Sequence, residues 1–127
     1  MIYKHEMIEL VLDAAPNFTP IWEEFLEYWA DEDDVPLYVI LSDLARYIGS
    51  LIRDGKDQEI RNIFAVIERW HLEGDAYVKE TATVGLLEDL QNSNVVGTGL
   101  SEPIEAYLMP ESKRGWLKIQ AFWGSEE

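Results

Sequence analysis

Apolar residues recur at intervals of three and four along most of the chain, and period-two alternation is almost absent. That spacing belongs to helices that bury one face. Turn residues cut the pattern into helix-sized pieces. The first covers about residues 4 to 15 and stops before Pro16. Thr19 is expected to cap a second piece, with Pro20 at the first helical position, where its missing N–H does no harm. In that piece Trp22, Phe25, Leu26 and Trp29 form one stripe, and Glu23, Glu24, Glu27 and Asp31 take the opposite side. A third helix opens at Pro36 with Leu37, Ile40, Leu41, Leu44, Ile48, Leu51 and Ile52 as its stripe. Tyr38, Val39, Ala45 and Tyr47 widen this stripe enough to make the helix central, and Gly55 is expected to end it in a left-handed conformation.

Asp57 is placed as the cap of a fourth helix, whose Ile60, Ile63, Phe64, Ile67, Trp70 and His71 keep the helical spacing. Gly74 closes that helix and Asp75 caps the next at once. So short a link forces the two into an antiparallel hairpin. The fifth helix sets Val78, Ala82, Leu86 and Leu90 four apart. The stretch QNSNVVGTGLSEP is the one loop-like segment, with Gly97-Thr98-Gly99 as a turn. Ser101 is expected to cap a short helix ending near Pro110. A last helix from about Glu111 puts Trp116, Ile119 and Trp123 on one side. The pattern predicts an all-α protein, a single domain over residues 1–127 with six or seven helices.

Within the predicted hairpin, DAYVKETATVGLLEDL (75–90) resembles the second helix of a HEAT repeat. Asp75, Val78, Lys79, Ala82 and Leu86 match that pattern, while Gly85, Leu87 and Asp89 depart from it. The resemblance covers one helix pair, and no second copy stands at a fixed period, so it implies a HEAT-like hairpin and not a regular solenoid. The run from LARYIGSLI through FAVIERWHLEGDAYVKETATVGLLEDLQN also resembles a family of small acidic bacterial proteins of unknown function. This implies a bacterial helical domain and supplies no activity.

Composition narrows the class. A chain of 127 residues with 47% hydrophobic residues and five tryptophans can bury a core without covalent staples. It has no cysteine, which excludes disulfide frameworks and thiolate metal sites. No apolar run reaches the roughly 18 residues of a membrane span. Glu6 and Glu9 interrupt the N-terminal stretch where an export signal needs an apolar core. A cytoplasmic protein is expected.

Charge changes the picture most. The net charge is −15, and it is uneven: residues 1–45 hold eleven acids against Lys4 alone, and residues 46–127 hold fourteen against nine bases. Such a field disfavours direct contact with nucleic acid or an anionic membrane and favours a cationic partner. The acids concentrate in IWEEFLEYWADEDDVP (21–36), which contains no cation. Glu23–Glu27, Glu24–Glu27 and Glu27–Asp31 are like-charge neighbours, each unfavourable by roughly 0.2–0.5 kcal/mol in an isolated helix. Asp31 to Asp34 also crowd the C-terminal end, where the helix dipole prefers cations. Glu23, Glu24, Glu27, Asp31, Asp33 and Asp34 are therefore the candidate partner-binding residues, with Tyr28 and Ile21 on the helix flank as contact area.

Candidate chemistry adds little to this. Glu68 and His71 form an E-x-x-H pair, the spacing of ferritin-like di-iron sites. The only other histidine is His5, so the ligand count fails. His71-Leu72-Glu73 lacks the cysteines of a zinc deaminase. No serine stands in a nucleophile elbow, and no catalytic motif is readable. The remaining possibility is a polar pocket at the hairpin tip made of Glu68, His71, Asp75 and Glu80, with His71 as acid or base, set against His71 as a packed, hydrogen-bonded core residue. No cofactor is expected. The sequence thus points first to a non-catalytic acidic protein that neutralises a basic protein. By analogy this is an immunity protein inhibiting a cationic, nuclease-like toxin, and the alternative is a small helical enzyme or small-molecule binder at His71.

Overall fold

A computed structural model of the chain describes residues 1–124, and those residues hold eight helices and no strand. A 3₁₀ turn, Lys4–Glu6, leads into α1, Met7–Ala14, which buries Met7, Ile8 and Val11. A second 3₁₀ turn, Pro16–Phe18, runs directly into α2, Thr19–Tyr28. Thr19 is therefore helical and does not cap: the preceding turn already presents helical geometry, and Phe18 occupies the capping position without a side-chain bond. Of the expected α2 stripe only Phe25 is buried. Trp22 and Trp29 are half-covered, and Leu26 is 40% exposed.

The third helix, α3 (Leu37–Asp54), is the one the rest packs around. Its Leu37, Ile40, Leu41, Leu44, Ala45, Ile48 and Leu51 are all buried. Gly55 ends it at φ 70°, and the amides of Gly55 and Lys56 return to the carbonyls of Ile52 and Leu51. A glycine adopts this left-handed conformation without the Cβ penalty. The fourth helix, α4 (Asp57–Glu73), begins at Asp57 without a side-chain cap. The Asp57 carboxylate is taken instead by Arg61 at 2.9 Å and by the Tyr107 hydroxyl at 2.7 Å.

At the end of α4 the N-terminal segment is tied in: the Ile2 amide donates to Glu73 O and the Asp75 amide donates to Ile2 O. Asp75 caps the next helix, its Oδ1 accepting the Val78 amide at 2.9 Å. That helix, α5, spans residues 76–91. It is α-helical over Ala76–Glu80 and Glu88–Gln91 but π-helical over Thr81–Leu87. Wider winding places residues five apart above one another, so Thr81 with Leu86 and Ala82 with Leu87 face inward together. All four are buried, as are Val78 and Leu90. Gly85 allows close approach to α3, since a Cβ there would lie 3.1 Å from the Tyr38 ring and 3.2 Å from Leu41.

The expected loop contains a short helix, α6 (Ser93–Val96), followed by a turn in which Gly97 and Gly99 take positive φ. The hydrophobic pattern gives no sign of this element. Next comes α7, Ser101–Tyr107, whose first residue again makes no cap. The last helix, α8 (Pro110–Gly124), buries Trp116 and Ile119. The Trp123 side chain, expected beside them, lies outside the described residues. No described helix is long and apolar enough to cross a membrane.

Candidate functional site

Two regions gather the residues singled out by the sequence. The first flanks α2. That helix rests on the body mainly through Phe25, with Trp22 stacked on it at 5.4 Å and Trp29 tilted against it at 6.4 Å. Loose seating leaves a groove on either side. Between α2 and α3 lies a groove of about 470 Å³ with Ile21, Phe25, Trp29 and Val39 as its apolar wall and Glu24 and Asp43 as its acids. Tyr28 stands at its edge, 80% exposed, its ring set against Trp29 at 5.2 Å. The second groove, of similar volume, is formed by α1, α2 and the segment before α3. It holds Trp22, Leu26, Lys4 and Asp34.

The expected acidic patch is thus spread around α2 and not gathered on one face. Glu24 and Tyr28, one helical turn apart, face the α2–α3 groove. Asp34 faces the other groove and is neutralised by Lys4 at 2.7 Å. Glu23, Glu27, Asp31 and Asp33 are exposed and line neither. Among the described residues Glu23, Glu24, Glu27, Asp31 and Asp33 make no ion pair and no side-chain hydrogen bond. Among the described residues none compensates the repulsion among them. Asp43 and Val39, both on α3, are groove residues that sequence reasoning missed. Asp43 counted there only among the eleven acids of residues 1–45, and in the structure Arg46 meets it at 3.1 Å.

The second region surrounds His71. Glu68, 5% exposed, reaches from α4 to the start of α8 and accepts the Glu111 amide at 2.9 Å and the Ser112 amide at 2.8 Å. The Ser112 hydroxyl donates to the same carboxylate at 2.9 Å. Burial pushes the Glu68 carboxyl upward, but those three donors, helped by nearby His71, outweigh it and hold the group below the usual carboxylate range. Glu68 is therefore the cap of α8, supplied from another helix.

His71 has both ring nitrogens engaged. Nδ1 lies 2.8 Å from the Ile67 carbonyl, which can only accept, so Nδ1 carries the proton. Nε2 then accepts from the Thr83 hydroxyl at 3.0 Å. Burial lowers the His71 pKa, and this exceeds the upward pull of the Ile67 carbonyl, Glu68 and Glu111. Glu68, Ser112 and His71 superficially suggest a hydrolytic triad, but Ser112 is fully buried and its proton points to Glu68. A substrate cannot reach that oxygen.

Of the four expected pocket residues, the structure joins Glu68 and His71 through Ser112. Asp75 is spent on its own cap, and Glu80 is exposed and outside the groove over His71. That groove, about 260 Å³, is lined instead by Lys79 and Thr83 of α5 and by Glu111, Arg114, Gly115 and Lys118 of α8. The missed signal was the spacing of four within each pair, Lys79 with Thr83 and Arg114 with Lys118, which puts each pair on one helix face. Gly115 marks where α8 closes on α5: a Cβ would lie 3.1 Å from Leu87 and 3.3 Å from Thr83 Oγ1. No cluster of three or more His, Asp or Glu among the described residues could hold a metal ion.

No curated protein and no solved structure matches the chain. A family model described as "Domain of unknown function (DUF7674)" matches residues 8–124, and the chain belongs to that family.

Proposed function

We propose that this chain is a non-catalytic binding protein whose α2–α3 groove receives a basic segment of a protein partner. The segment presents Lys or Arg to Glu24, Asp43 and the flanking carboxylates, and an apolar side chain to Tyr28, Trp29 and Val39. The observation that carries this reading is the position of Tyr28. It is an aromatic ring 80% exposed at the lip of an apolar groove, beside Glu24, which makes no ion pair among the described residues, and Asp43, whose one partner is the exposed Arg46 at 3.1 Å. Tyrosine at such a place supplies contact area at small entropic cost, and the charges supply orientation and fast encounter.

The most concrete form of the proposal is an immunity-type protein that covers the phosphate-gripping surface of a cationic, nuclease-like toxin. Enzymes that bind polyanions carry Lys and Arg clusters at their sites, and an acidic lid complements them. The test asks whether the gene immediately upstream encodes a product ending in a basic domain, and pairs this chain with that domain. Cells producing that domain survive when this chain is present and die when it carries Tyr28→Ala together with Glu24→Lys. Equal survival with the altered chain overturns the reading. An acid–base role for His71 draws less support, because both of its nitrogens and its Glu68 neighbour are occupied by hydrogen bonds that build the fold.

A further inference from the structure

The chain has ten cations against twenty-five acids, yet three of the ten converge on the small groove over His71. We propose that this groove binds a small oxyanion of phosphate size and charge, held between Lys79 of α5 and Lys118 of α8, with Arg114 beside them. The proposal is independent of the acidic groove on α2.

The disposition of the other cations supports it. Lys4, Arg46, Arg61, Arg69, Lys113 and Arg114 each have a carboxylate oxygen within 3.1 Å. Arg53 donates to the Val96 carbonyl at 2.7 Å. Among the described residues this leaves Lys56, Lys79 and Lys118 without a partner, in a protein with acids to spare. Two of those three line the same groove. On α8 no acid stands three or four residues from Lys118, and the residue four before it is Arg114, a like charge. The local sequence therefore raises the positive potential where pairing would have lowered it.

The floor contributes shape and no donor, since the Thr83 hydroxyl gives its proton to His71 Nε2 and His71 Nδ1 gives its own to the Ile67 carbonyl, so the cations carry the contact. The Thr83 hydroxyl and the His71 ring close its base, and the missing side chain of Gly115 keeps that base open, since a Cβ would stand 3.3 Å from Thr83 Oγ1. Glu111 also lines the groove and pairs with Arg114 at 3.1 Å. Three cations against one carboxylate still leave the groove positive. Its volume of about 260 Å³ admits one phosphate-sized group. A nucleic-acid strand is a poor occupant because the surrounding field of a −15 chain repels an extended polyanion.

The test is a titration of the ¹⁵N-labelled full chain with inorganic phosphate, followed by amide shifts and compared with sodium chloride at equal ionic strength. Phosphate is expected to give saturable shifts confined to Lys79, Thr83, Gly115, Lys118 and their neighbours, and chloride is expected to give none. In a Lys79→Gln, Lys118→Gln variant, with its remaining spectrum unchanged, binding weakens by roughly two- to thirtyfold, as two exposed charge contacts imply. Lys118→Gln alone provides the same comparison if the pair disturbs the fold. Shifts that follow ionic strength across many residues, or affinity unchanged in these variants, overturn the proposal. Reversing the acids of α2 leaves the phosphate response intact, so failure here does not touch the reading of that groove.

Discussion

Glu68 and Ser112, 44 residues apart, close the start of α8: one carboxylate oxygen accepts the Ser112 amide at 2.8 Å and the Ser112 hydroxyl at 2.9 Å. Free N–H groups at a helix start are ordinarily met by a residue just before the helix. Here the preceding residues are Leu108 and Met109, whose side chains offer no such acceptor. A distant carboxylate takes that role, and it fixes α8 against α4 in doing so.

Glu68→Ala should therefore cost about 1.5–3 kcal/mol, the range for a buried hydrogen bond to a charged group. Glu68→Gln, which retains an acceptor oxygen, should cost less. Urea denaturation of the three proteins measures both differences. A loss within about 0.5 kcal/mol for the alanine variant, as at ordinary surface positions, contradicts the capping role.

Acid should destabilise the fold in two stages. His71 is held neutral by burial, so the unfolded chain takes up its proton first as the pH falls below about 6.5. Stability is full above that pH, erodes through the interval down to the lowered folded value, and then levels. Glu68 acts at lower pH: its folded carboxyl is depressed from 4.5, so its contribution is present above 4.5 and is lost as the pH falls through the folded value. The charged groups facing His71 are Glu68, with Glu111, Lys79, Arg114 and Lys118 around the groove above it. Melting temperature measured from pH 8 down to about 2.5 checks this. In His71→Gln the first stage should disappear and the second persist.

Gly74→Ala should cost about 1–3 kcal/mol, the usual cost of overpacking. The backbone at Gly74 is ordinary, with φ −71° and ψ 154°, so the requirement is one of space alone. A Cβ would sit 2.4 Å from the Trp70 carbonyl and 2.5 Å from Val78 Cγ1. Thermal melting reads the loss. An unchanged midpoint means the α4–α5 junction is looser than described.

Such close approaches explain why part of this fold was legible and part was not. Local chemistry reads well: the Gly55 stop, the Asp75 cap and the inward line of Val78, Ala82, Leu86 and Leu90 all depend on residues within one turn of each other. Thr19, Asp57 and Ser101 have capping chemistry but do not cap. A 3₁₀ turn precedes Thr19, and Asp57 is claimed by Arg61 and Tyr107. The π winding of Thr81–Leu87 and the short helix Ser93–Val96 answer to packing against α3, which no local pattern announces. At the candidate sites, the exposure of Tyr28 and the Glu–Asp surplus of residues 21–36 were readable. The convergence of Lys79, Arg114 and Lys118 was not, because it needs two helices to meet.

Reversing charge on α2 should leave the fold intact. Glu24, Glu27 and Asp31 are exposed and make no ion pair among the described residues. Changing them to Lys exchanges one set of like charges for another, but Glu27→Lys sets a cation four residues after Glu23 and Asp31→Lys places one near the helix C-terminus, so the melting temperature should hold or rise slightly. A clear drop in melting temperature implies that these carboxylates have a structural task.

The most direct measurement is the affinity of a basic protein partner for the native chain and for the Glu24→Lys, Glu27→Lys, Asp31→Lys variant, each at low and at high salt. Docking in the acidic α2–α3 groove predicts tight binding at low salt, marked weakening at high salt, and no detectable binding by the variant at either. Equal affinity for both chains, or binding that ignores salt, contradicts it.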